Sequence, residues 1–471
     1  MKGKYGALVK DLLLFTISTF IPKTISFFLV PLYTNSLTTA EYGIADLLST
    51  TVSLVIPFLT LDINDAVMRF TIERKSDARP FRIGFNLVLK GIFFIVTLVI
   101  INDVFGIINV DREIELFFVL NYTFISLYGI CMAYLRATNQ VMMLSIVSIL
   151  ITVVNISSNL IFLIALKKGL IGYMISGCIG FAFADLLILT KIKVLKLLKS
   201  SDKQNKDLKK QMMAYSIPLI AANISWWINS SSDRYFVTAM CGVDENGIYS
   251  VAYKIPTILQ MLQSVFSQAW LLSVFREYKS ENGSKYVSSV YELYNVAMSI
   301  SCAILIILDI PLAKYLYAKE FFAAWRYVPL LLLSVVYIAN AGFFESLLTL
   351  HKKSKIVAST TVIGATVNML LNFGLIRYFG TVGAAIATVC GYLIMWITRI
   401  HPVMKEYPFA IKWHKNIVLY VLLVVEIVVM LAFQNYIICI AITVGMCMLS
   451  KDILINIIKQ MNGKVRELKY K

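Results

Sequence analysis

Apolar residues along the chain come in blocks of roughly 20, and short polar joints separate one block from the next. A block of this length crosses the hydrocarbon core of a bilayer as one helix, because each helical residue advances the chain by about 1.5 Å. Windows of about 19 residues therefore predict fourteen membrane-spanning helices. They cover residues 8–33, 43–68, 83–101, 115–135, 142–166, 169–189, 212–240, 247–275, 287–310, 327–350, 356–379, 382–397, 417–433 and 436–458.

The composition agrees with this pattern. Of the 471 residues, 59% are hydrophobic and 15% are charged, whereas soluble domains have about 45–50% apolar and about 25% charged residues. These values exclude an ordinary soluble enzyme and predict an all-α, polytopic membrane protein.

The net charge of +17 is explained by the position of the joints. When joints are assigned alternately to the two sides, 33 of the 44 Lys and Arg residues fall on the side of the termini and 7 on the other. Cytoplasmic loops are the ones that collect Lys and Arg. Both termini are therefore predicted to be cytoplasmic, and the charge gives no reason to expect a nucleic-acid partner.

Two pairs of similar segments indicate an internal repeat. Residues 41–44 (Glu-Tyr-Gly-Ile) precede the second span, and residues 245–249 (Glu-Asn-Gly-Ile-Tyr) precede the eighth. Asn155 and Asn159 in the fifth span correspond to Asn368 and Asn372 in the eleventh. Parallel repeats of this kind are common in membrane transporters. They predict two six-helix lobes around a central cavity: residues 1–200, a cytoplasmic linker at 201–211, residues 212–405, and two further helices with a tail at 406–471.

Ionisable residues inside the first two predicted spans mark a candidate pathway. An ionisable side chain near the middle of a bilayer costs about 2.5–3.5 kcal/mol, so it should face protein or water. Lys23 lies in the middle of the first span. Asp62, Asp65 and Arg69 in the second span follow the spacing i, i+3, i+7 and therefore share one helix face.

The seventh and eighth spans carry a similar pattern. Asn223, Trp227 and Arg234 follow the spacing i, i+4, i+11, with Asp233 beside them, and Lys254 lies at the edge of a polar face in the eighth span. Arg and Lys bind phosphate groups, whereas amides and indole rings bind sugars. The pattern suits an anionic, sugar-bearing substrate. A structural interpretation stays open, in which Asp233 pairs with Lys254 and Asp65 pairs with Arg69.

The sequence contains no motif that predicts an enzymatic activity. It contains no phosphate-binding loop, nucleophile elbow or His-Glu-x-x-His motif. His351, His401 and His414 lie in joints without carboxylates at ligand spacing, and the cysteines form no Cys-x-x-Cys pair. We therefore predict no catalytic residue, no metal site and no cofactor. Glu345 and Glu426 have no polar stripe beside them and receive no role.

Three segments carry a resemblance to a known family. Residues 28–44, residues 233–250 and residues 368–384 resemble the polysaccharide repeat-unit flippases (Wzx type) of the multidrug/oligosaccharidyl-lipid/polysaccharide (MOP) exporter superfamily. The resemblance implies two six-helix bundles, usually with two extra helices. It also implies a substrate, an oligosaccharide carried on undecaprenyl diphosphate and turned across the bacterial cytoplasmic membrane for cell-surface polysaccharide synthesis.

These arguments give a set of expected roles. The substrate-binding residues are Lys23, Arg69, Asn223, Trp227, Arg234 and Lys254. Without a nucleotide site, energy must come from an ion gradient, and Asp62, Asp65 and Asp233 are the candidate sites for a coupling cation, H⁺ or Na⁺. The alternatives are a lipid II flippase, a multidrug exporter of the same superfamily and, more remotely, a membrane polysaccharide polymerase.

Overall fold

A computed structural model describes residues 20, 22–74, 77–107, 109–194, 197, 206–277 and 282–453. No strand occurs among these residues, in agreement with the predicted all-α class. The helices are α1 (Val30–Ser36), α2 (Thr39–Leu59), α3 (Ile63–Glu73), α4 (Arg79–Phe105), α5 (Arg112–Ala137), α6 (Val141–Asn159), α7 (Gly169–Lys191), α8 (Lys206–Ser231), α9 (Asp233–Cys241), α10 (Val243–Ala252), α11 (Pro256–Glu277), α12 (Gly283–Leu316), α13 (Val328–Leu350), α14 (Ser354–Phe379), α15 (Thr381–Glu406), α16 (Trp413–Phe433) and α17 (Tyr436–Leu449). A π-helical turn at Leu160–Ala165 continues α6, and a 3-10 helix at Lys319–Arg326 follows α12.

Within the described residues, ten helices are long and apolar enough to cross a membrane: α2, α4, α5, α6 with its π-helical turn, α7, α12, α13, α14, α15 and α16. Four predicted spans are not among these ten. The first lies half outside the described residues, and the last corresponds to the shorter apolar helix α17. The seventh and eighth, which carry many of the polar candidates, are each divided into two helices.

Three of the predicted spans are interrupted. The second span is interrupted between α2 and α3, where Leu61 and Asp62 adopt left-handed backbone angles with φ of 52° and 50°. The seventh is interrupted at Ser232 and the eighth between Tyr253 and Ile255. Interrupted membrane helices are a frequent feature of transporter binding sites.

The chain forms two compact units. The first comprises the described residues up to Ser231 together with Val243–Gly247. Its core joins α3, α4, α5 and α7 through buried side chains that include Ile63, Phe81 and Ile130. Helix α8 packs against α2, α3 and α4 in this unit, which brings its polar residues beside the break at Asp62.

The second unit comprises residues 232–242 and the described residues from 248 onward. Aromatic rings from α11, α12 and α13 stack in its interior. The ring centres of Phe266 and Tyr294 are 3.9 Å apart, and those of Trp270 and Phe343 are 4.3 Å apart. Helices α14 and α15 pack closely against each other, and α12 packs against α13, α16 and α17.

The two copies of the repeated Glu-x-Gly-Ile segment each lie in the first turns of a helix, α2 and α10, and the first unit contains a contact between them. Thr39 Oγ1 donates a hydrogen bond to Asp244 Oδ1 at 2.7 Å, and Asn246 Nδ2 donates to the carbonyl oxygen of Gly43 at 3.2 Å. A Cβ atom on Gly43 would overlap the Val243 carbonyl oxygen. The glycine of the motif is thus required by a close backbone approach.

Candidate functional site

Five of the nine predicted site residues fall into two polar clusters, one in each unit. The Asp62 cluster consists of Thr50, Ser53, Asp62, Asn223 and Trp227 in the first unit. The Asp233 cluster consists of Asp233, Arg234, Tyr249, Tyr253 and Thr388 in the second unit. Each cluster lies where a predicted span is broken.

The Asp62 carboxylate is positioned by the break that it helps to form. A left-handed conformation costs a non-glycine residue about 1–2 kcal/mol, so Leu61 and Asp62 need support from their surroundings. The backbone N–H of Asp62 donates to the Pro57 carbonyl oxygen at 3.1 Å. From α8, Asn223 Nδ2 donates to Asp62 Oδ2 at 2.6 Å. A predicted substrate residue and a predicted ion-coupling residue are therefore joined directly.

Trp227 lies one helical turn after Asn223 and reaches α2. Its Nε1–H group donates to the Thr50 carbonyl oxygen at 3.1 Å and to Ser53 Oγ at 3.2 Å. Trp227 and Asn223 are both half-buried. The cluster therefore offers a carboxylate, an amide and an indole ring, which is a combination suited to sugar hydroxyls and ring faces.

The remaining candidates of the first unit are more exposed. Arg69 Nε donates to Glu73 Oε1 at 2.8 Å, and its guanidinium carbon lies 4.5 Å from the ring centre of Tyr215. Asp65 is exposed. The pairing of Asp65 with Arg69 that the sequence suggested is thus replaced by an i, i+4 pair with Glu73. Lys23 is half-buried within the helical residues 22–28.

The Asp233 carboxylate is enclosed by donors. Asp233 is 1% exposed and begins α9, where a carboxylate interacts favourably with the helix N-terminus. Its Oδ2 atom accepts hydrogen bonds from the hydroxyls of Tyr249 at 2.7 Å, Tyr253 at 2.6 Å and Thr388 at 3.4 Å. Its Oδ1 atom accepts from the Arg234 backbone N–H at 3.0 Å. Three helices thus converge on one charge.

Two predicted cations are sequence neighbours of residues in this cluster: Arg234 follows Asp233, and Lys254 follows Tyr253. The guanidinium carbon of Arg234 lies 4.9 Å from the ring centre of Tyr253, which is cation–π geometry. Lys254 is half-buried. The suggested ion pair between Asp233 and Lys254 is not found in the described part of the chain, because hydroxyl and backbone donors occupy the carboxylate instead.

The break at Ser232 also divides the predicted polar stripe of the seventh span. Asn223 and Trp227 belong to α8 in the first unit, whereas Arg234 belongs to α9 in the second. Helical periodicity places residues on one face only while the helix is continuous. The three side chains therefore do not form one continuous helix face.

Asn368 and Asn372 lie near the Asp233 cluster, although the sequence identified them only as part of the internal repeat. Asn368 Nδ2 donates to Thr388 Oγ1 at 3.4 Å, and Asn372 Nδ2 donates to Asn368 Oδ1 at 3.0 Å. Ser232 Oγ lies 3.5 Å from Asn368 Oδ1. The Asn-x-x-x-Asn motif thus extends the Asp233 cluster with further oxygen ligands, which hard cations prefer.

Arg399 shows that the predicted twelfth span ends too early. The charge count assigned Arg399 to the joint after residue 397, but it lies inside α15 and is 1% exposed. Its guanidinium donates to the Ala341 carbonyl oxygen and to Glu345 Oε2, both at 2.9 Å, and to the hydroxyls of Thr360 and Thr361. Buried hydrogen bonds thus compensate a charge that hydropathy alone assigns to water.

Comparison with known proteins supports a transporter fold. The sequence profile of a family described as polysaccharide biosynthesis protein matches residues 8–279. Over 38 residues, the chain is 58% identical to an uncharacterized membrane protein of Methanocaldococcus jannaschii, and this match spans only 8% of that protein's length.

Three solved structures share the fold. A lipid II flippase, MurJ, in an inward closed conformation aligns with a TM-score of 0.68 at 16% identity, covering 94% of this chain and 100% of that one. An inward-facing MATE multidrug resistance transporter of the MOP superfamily aligns with a TM-score of 0.65 at 13% identity, covering 83% and 98%. A MOP superfamily transporter from Pyrococcus furiosus aligns with a TM-score of 0.57 at 12% identity, covering 87% and 96%.

Proposed function

Because the chain belongs to the polysaccharide biosynthesis protein family, we propose that this multi-pass membrane protein is a flippase of the Wzx type. Its substrate is an oligosaccharide repeat unit linked to undecaprenyl diphosphate. The observation that carries the proposal is the family match over residues 8–279, which includes both Asp62 and Asp233. The fold, shared with a flippase and with MATE transporters, supports it.

The proposed recognition divides between phosphate and sugar. Arg69, Lys23, Arg234 and Lys254 hold the diphosphate through charge-assisted hydrogen bonds. Asn223 and Trp227 meet the sugar through an amide and an indole face. The hydrogen bonds of the Asp62 cluster support this assignment, since they hold both side chains in fixed positions. The lipid tail stays in the bilayer throughout.

Alternating access supplies the mechanism, and a cation gradient supplies the energy. Asp62, Asp65 and Asp233 are the proposed coupling sites. Asp62 has the strongest support of the three, because it is half-buried and accepts from one described side chain, that of Asn223, which leaves acceptor positions for a cation. Either H⁺ or Na⁺ can occupy a carboxylate of this kind.

The proposed setting follows the charge pattern. The membrane is the bacterial cytoplasmic membrane, both termini face the cytoplasm, and the substrate moves outward. Cysteine labelling tests this orientation: Lys206, Asp207 and Lys210, when replaced one at a time by cysteine, should react from the cytoplasmic side, and Asp244 and Glu245 should react from outside. The opposite labelling would reverse the direction of transport.

Reconstituted vesicles test the function itself. Purified protein is placed in vesicles containing a fluorescent undecaprenyl-diphosphate-linked oligosaccharide, and its appearance in the opposite leaflet is followed by quenching from outside. Lipid II and a cationic drug form the comparison arms. Faster movement of the repeat unit than of either comparison substrate is expected. Unchanged movement of the repeat unit relative to protein-free vesicles would overturn the proposal.

Two neighbouring tryptophans provide a matched pair for the same assay. Trp227 donates two hydrogen bonds within the Asp62 cluster, whereas Trp226 is 52% exposed. Trp227→Ala should slow transport by about tenfold or more, since it removes an aromatic contact and a positioned donor. Trp226→Ala should leave transport close to that of the unmodified protein.

A further inference from the structure

Helix α12 carries a second polar face that the proposed site does not use. Asn295, Ser299, Cys302 and Asp309 fall within a sector of about 80° at 100° per residue. Each of the four is 0% exposed. The stretch from Asn295 to Asp309 covers about 21 Å along the helix at 1.5 Å per residue. Ile306 lies in the same sector between Cys302 and Asp309, so the polar side chains form two groups on this face. Together the two groups extend through most of the thickness of a bilayer core.

At the Asn295 end of this face, an amide of α13 and a phenol of α16 form a hydrogen-bond network with α12. Asn340 Nδ2 of α13 donates to Asn295 Oδ1 at 3.1 Å, and the Tyr420 hydroxyl of α16 donates to the same atom at 2.6 Å. Asn295 Nδ2, Ser299 Oγ and Asn340 Oδ1 have no hydrogen-bond partner among the described residues. The network thus retains both donors and acceptors in a fully buried position.

Glu426 of α16 is a buried carboxyl of the same unit. It is 0% exposed, and its Oε1 atom accepts a hydrogen bond from Thr443 Oγ1 of α17 at 3.1 Å. Its Oε2 atom has no partner in the described chain. Cys302 lies within electrostatic range of it, and Cys439 Sγ is 3.8 Å from its backbone carbonyl oxygen.

Asp309 forms the other end of the polar face. It is 0% exposed, and neither carboxylate oxygen has a hydrogen-bond partner within the described residues. Asp309 and Glu426 each lie seven residues before the end of their helices, which is about 10 Å at 1.5 Å per residue. The charge pattern assigns both helix ends to the outside, and Tyr436 of α17 lies within electrostatic range of Asp309.

An ion pair lies in the first half of α12. Lys412 Nζ lies 3.0 Å from Glu292 Oε2, and the Lys412 side chain is 64% exposed. Glu292 comes three residues before Asn295, so it lies near the same face. A carboxylate in the cytoplasmic half of the predicted ninth span is thus followed along the helix by Asn295 and Ser299.

The buried carboxyls require compensation for their charge. An uncompensated carboxylate inside a membrane protein costs several kcal/mol, and membrane carboxyls of this type mark ion paths and proton relays. No Lys or Arg of the described chain forms an ion pair with either group. The titratable side chains that interact with these two groups are Cys302 of α12 and Cys439 of α17, near Glu426, and Tyr436 of α17, near Asp309. Thiols and phenols are poor ligands for a hard metal cation, which favours a proton.

We propose that Asp309 and Glu426 bind and release protons, and that the polar face of α12 is a proton pathway through the second unit. In each transfer the O–H bond of one carboxyl breaks, and a new O–H bond forms on the next acceptor, so the negative charge moves in the opposite direction. The pathway itself does not depend on the proposed function. Its role, which is to couple proton entry to substrate movement, rests on that function.

Proton flux into vesicles tests the pathway directly. A pH gradient is imposed across vesicles that contain a pH-sensitive dye, with and without lipid-linked saccharide. Asp309→Asn and Glu426→Gln should each slow proton entry by about tenfold or more. Asp309→Glu and Glu426→Asp should keep part of the rate, because they retain a titratable group, whereas a purely structural role would not be rescued in this way.

Asp185 of α7 provides a matched control, since it is a buried carboxyl in the first unit and is 3% exposed. Asp185→Asn should conduct protons like the unmodified protein. An equal loss of proton entry in Asp185→Asn, Asp309→Asn and Glu426→Gln would overturn the pathway. So would the absence of proton movement in the unmodified protein both with and without the saccharide. Proton entry that depends on Asp309 and Glu426 in vesicles that fail to flip the saccharide would support this inference and contradict the proposed function.

Discussion

Asp62 and Asp233 both stand where a predicted membrane span is broken, but the protein surrounds them differently. Asp233 is 1% exposed and accepts four hydrogen bonds from residues of α9, α10, α15 and the turn after α10. Asp62 is half-buried and accepts from a single side chain in the described chain, that of Asn223. One carboxylate is enclosed, and the other is open.

This difference separates two tasks that the sequence alone assigns to the same residue type. A carboxylate that accepts from three hydroxyls holds its surroundings together, because each hydroxyl would otherwise lose a charged acceptor and keep only a neutral partner. A half-buried carboxylate with one amide partner keeps free acceptor positions for a ligand or a cation. We therefore expect Asp233 to dominate stability and Asp62 to affect transport with little effect on stability.

The largest expected effect comes from removing the enclosed carboxylate. Asp233→Ala removes the carboxylate that the hydroxyls of Tyr249, Tyr253 and Thr388 share. The two tyrosine hydroxyls remain 3.2 Å apart and Thr388 keeps the Ala384 carbonyl oxygen, so the variant should lose about 2–4 kcal/mol of stability and not the full cost of three unsatisfied groups. Asp62→Ala is the control and should lose about 1 kcal/mol or less. Thermal unfolding of both variants in detergent measures the difference, and equal losses would remove the distinction between the clusters.

The next effect concerns Arg234, which the enclosed cluster positions. Hydrogen bonds to charged groups contribute about 1.5–3 kcal/mol, so Arg234→Ala should slow translocation by about 10- to 100-fold at normal protein level. Arg234→Lys should retain part of the rate, because it keeps the charge and loses the planar fork.

A double variant distinguishes binding from pairing at Arg234. If Arg234 only balanced Asp233, replacing both with neutral residues would restore transport, since no uncompensated charge would remain. The hydroxyl partners of Asp233 argue for the other outcome. We expect the Asp233→Asn, Arg234→Gln variant to stay as slow as Arg234→Ala in the vesicle assay.

The open carboxylate gives a smaller effect. Asp62→Asn keeps an oxygen that accepts from Asn223 but removes the charge. We expect about a tenfold slower rate and a stability change below about 1 kcal/mol. Asp65→Asn is a suitable comparison, because Asp65 is exposed on the same helix segment. Transport and melting temperature measured on the same preparations would show whether the two effects separate as expected.

Individual residues show what the sequence could and could not predict. The helical class and the membrane spans follow from block length and hydropathy, because a bilayer imposes both. The break at Asp62 could not be predicted, since Leu61 and Asp62 adopt an unfavourable conformation that local backbone hydrogen bonds and the contact with Asn223, 161 residues away, stabilise together. Local patterns fail where distant residues decide the backbone.

The composition of the Asp233 cluster shows a second limit. Thr388 is 155 residues away from Asp233 along the chain, so no local pattern joins them. Arg399 was misplaced for a related reason. Hydropathy treats a charged residue as a sign of water, whereas four protein groups satisfy this guanidinium inside the second unit. Long-range hydrogen bonds are the information that spacing lacks.

The smallest expected effect on stability belongs to Arg69, which forms an exposed ion pair with Glu73 in the first unit. Its side chain is 51% exposed, and its partner Glu73 is 50% exposed, so solvent screens the pair. Arg69→Lys should leave the melting temperature unchanged within error. The variant should still lose the stacking of a planar guanidinium on Tyr215, which a compact ammonium does not reproduce. Transport should therefore fall less than in Arg234→Ala and should depend more steeply on salt. A large drop in melting temperature for Arg69→Lys would show that this end of the first unit is enclosed like the Asp233 cluster, and the contrast between an open and an enclosed region would not hold.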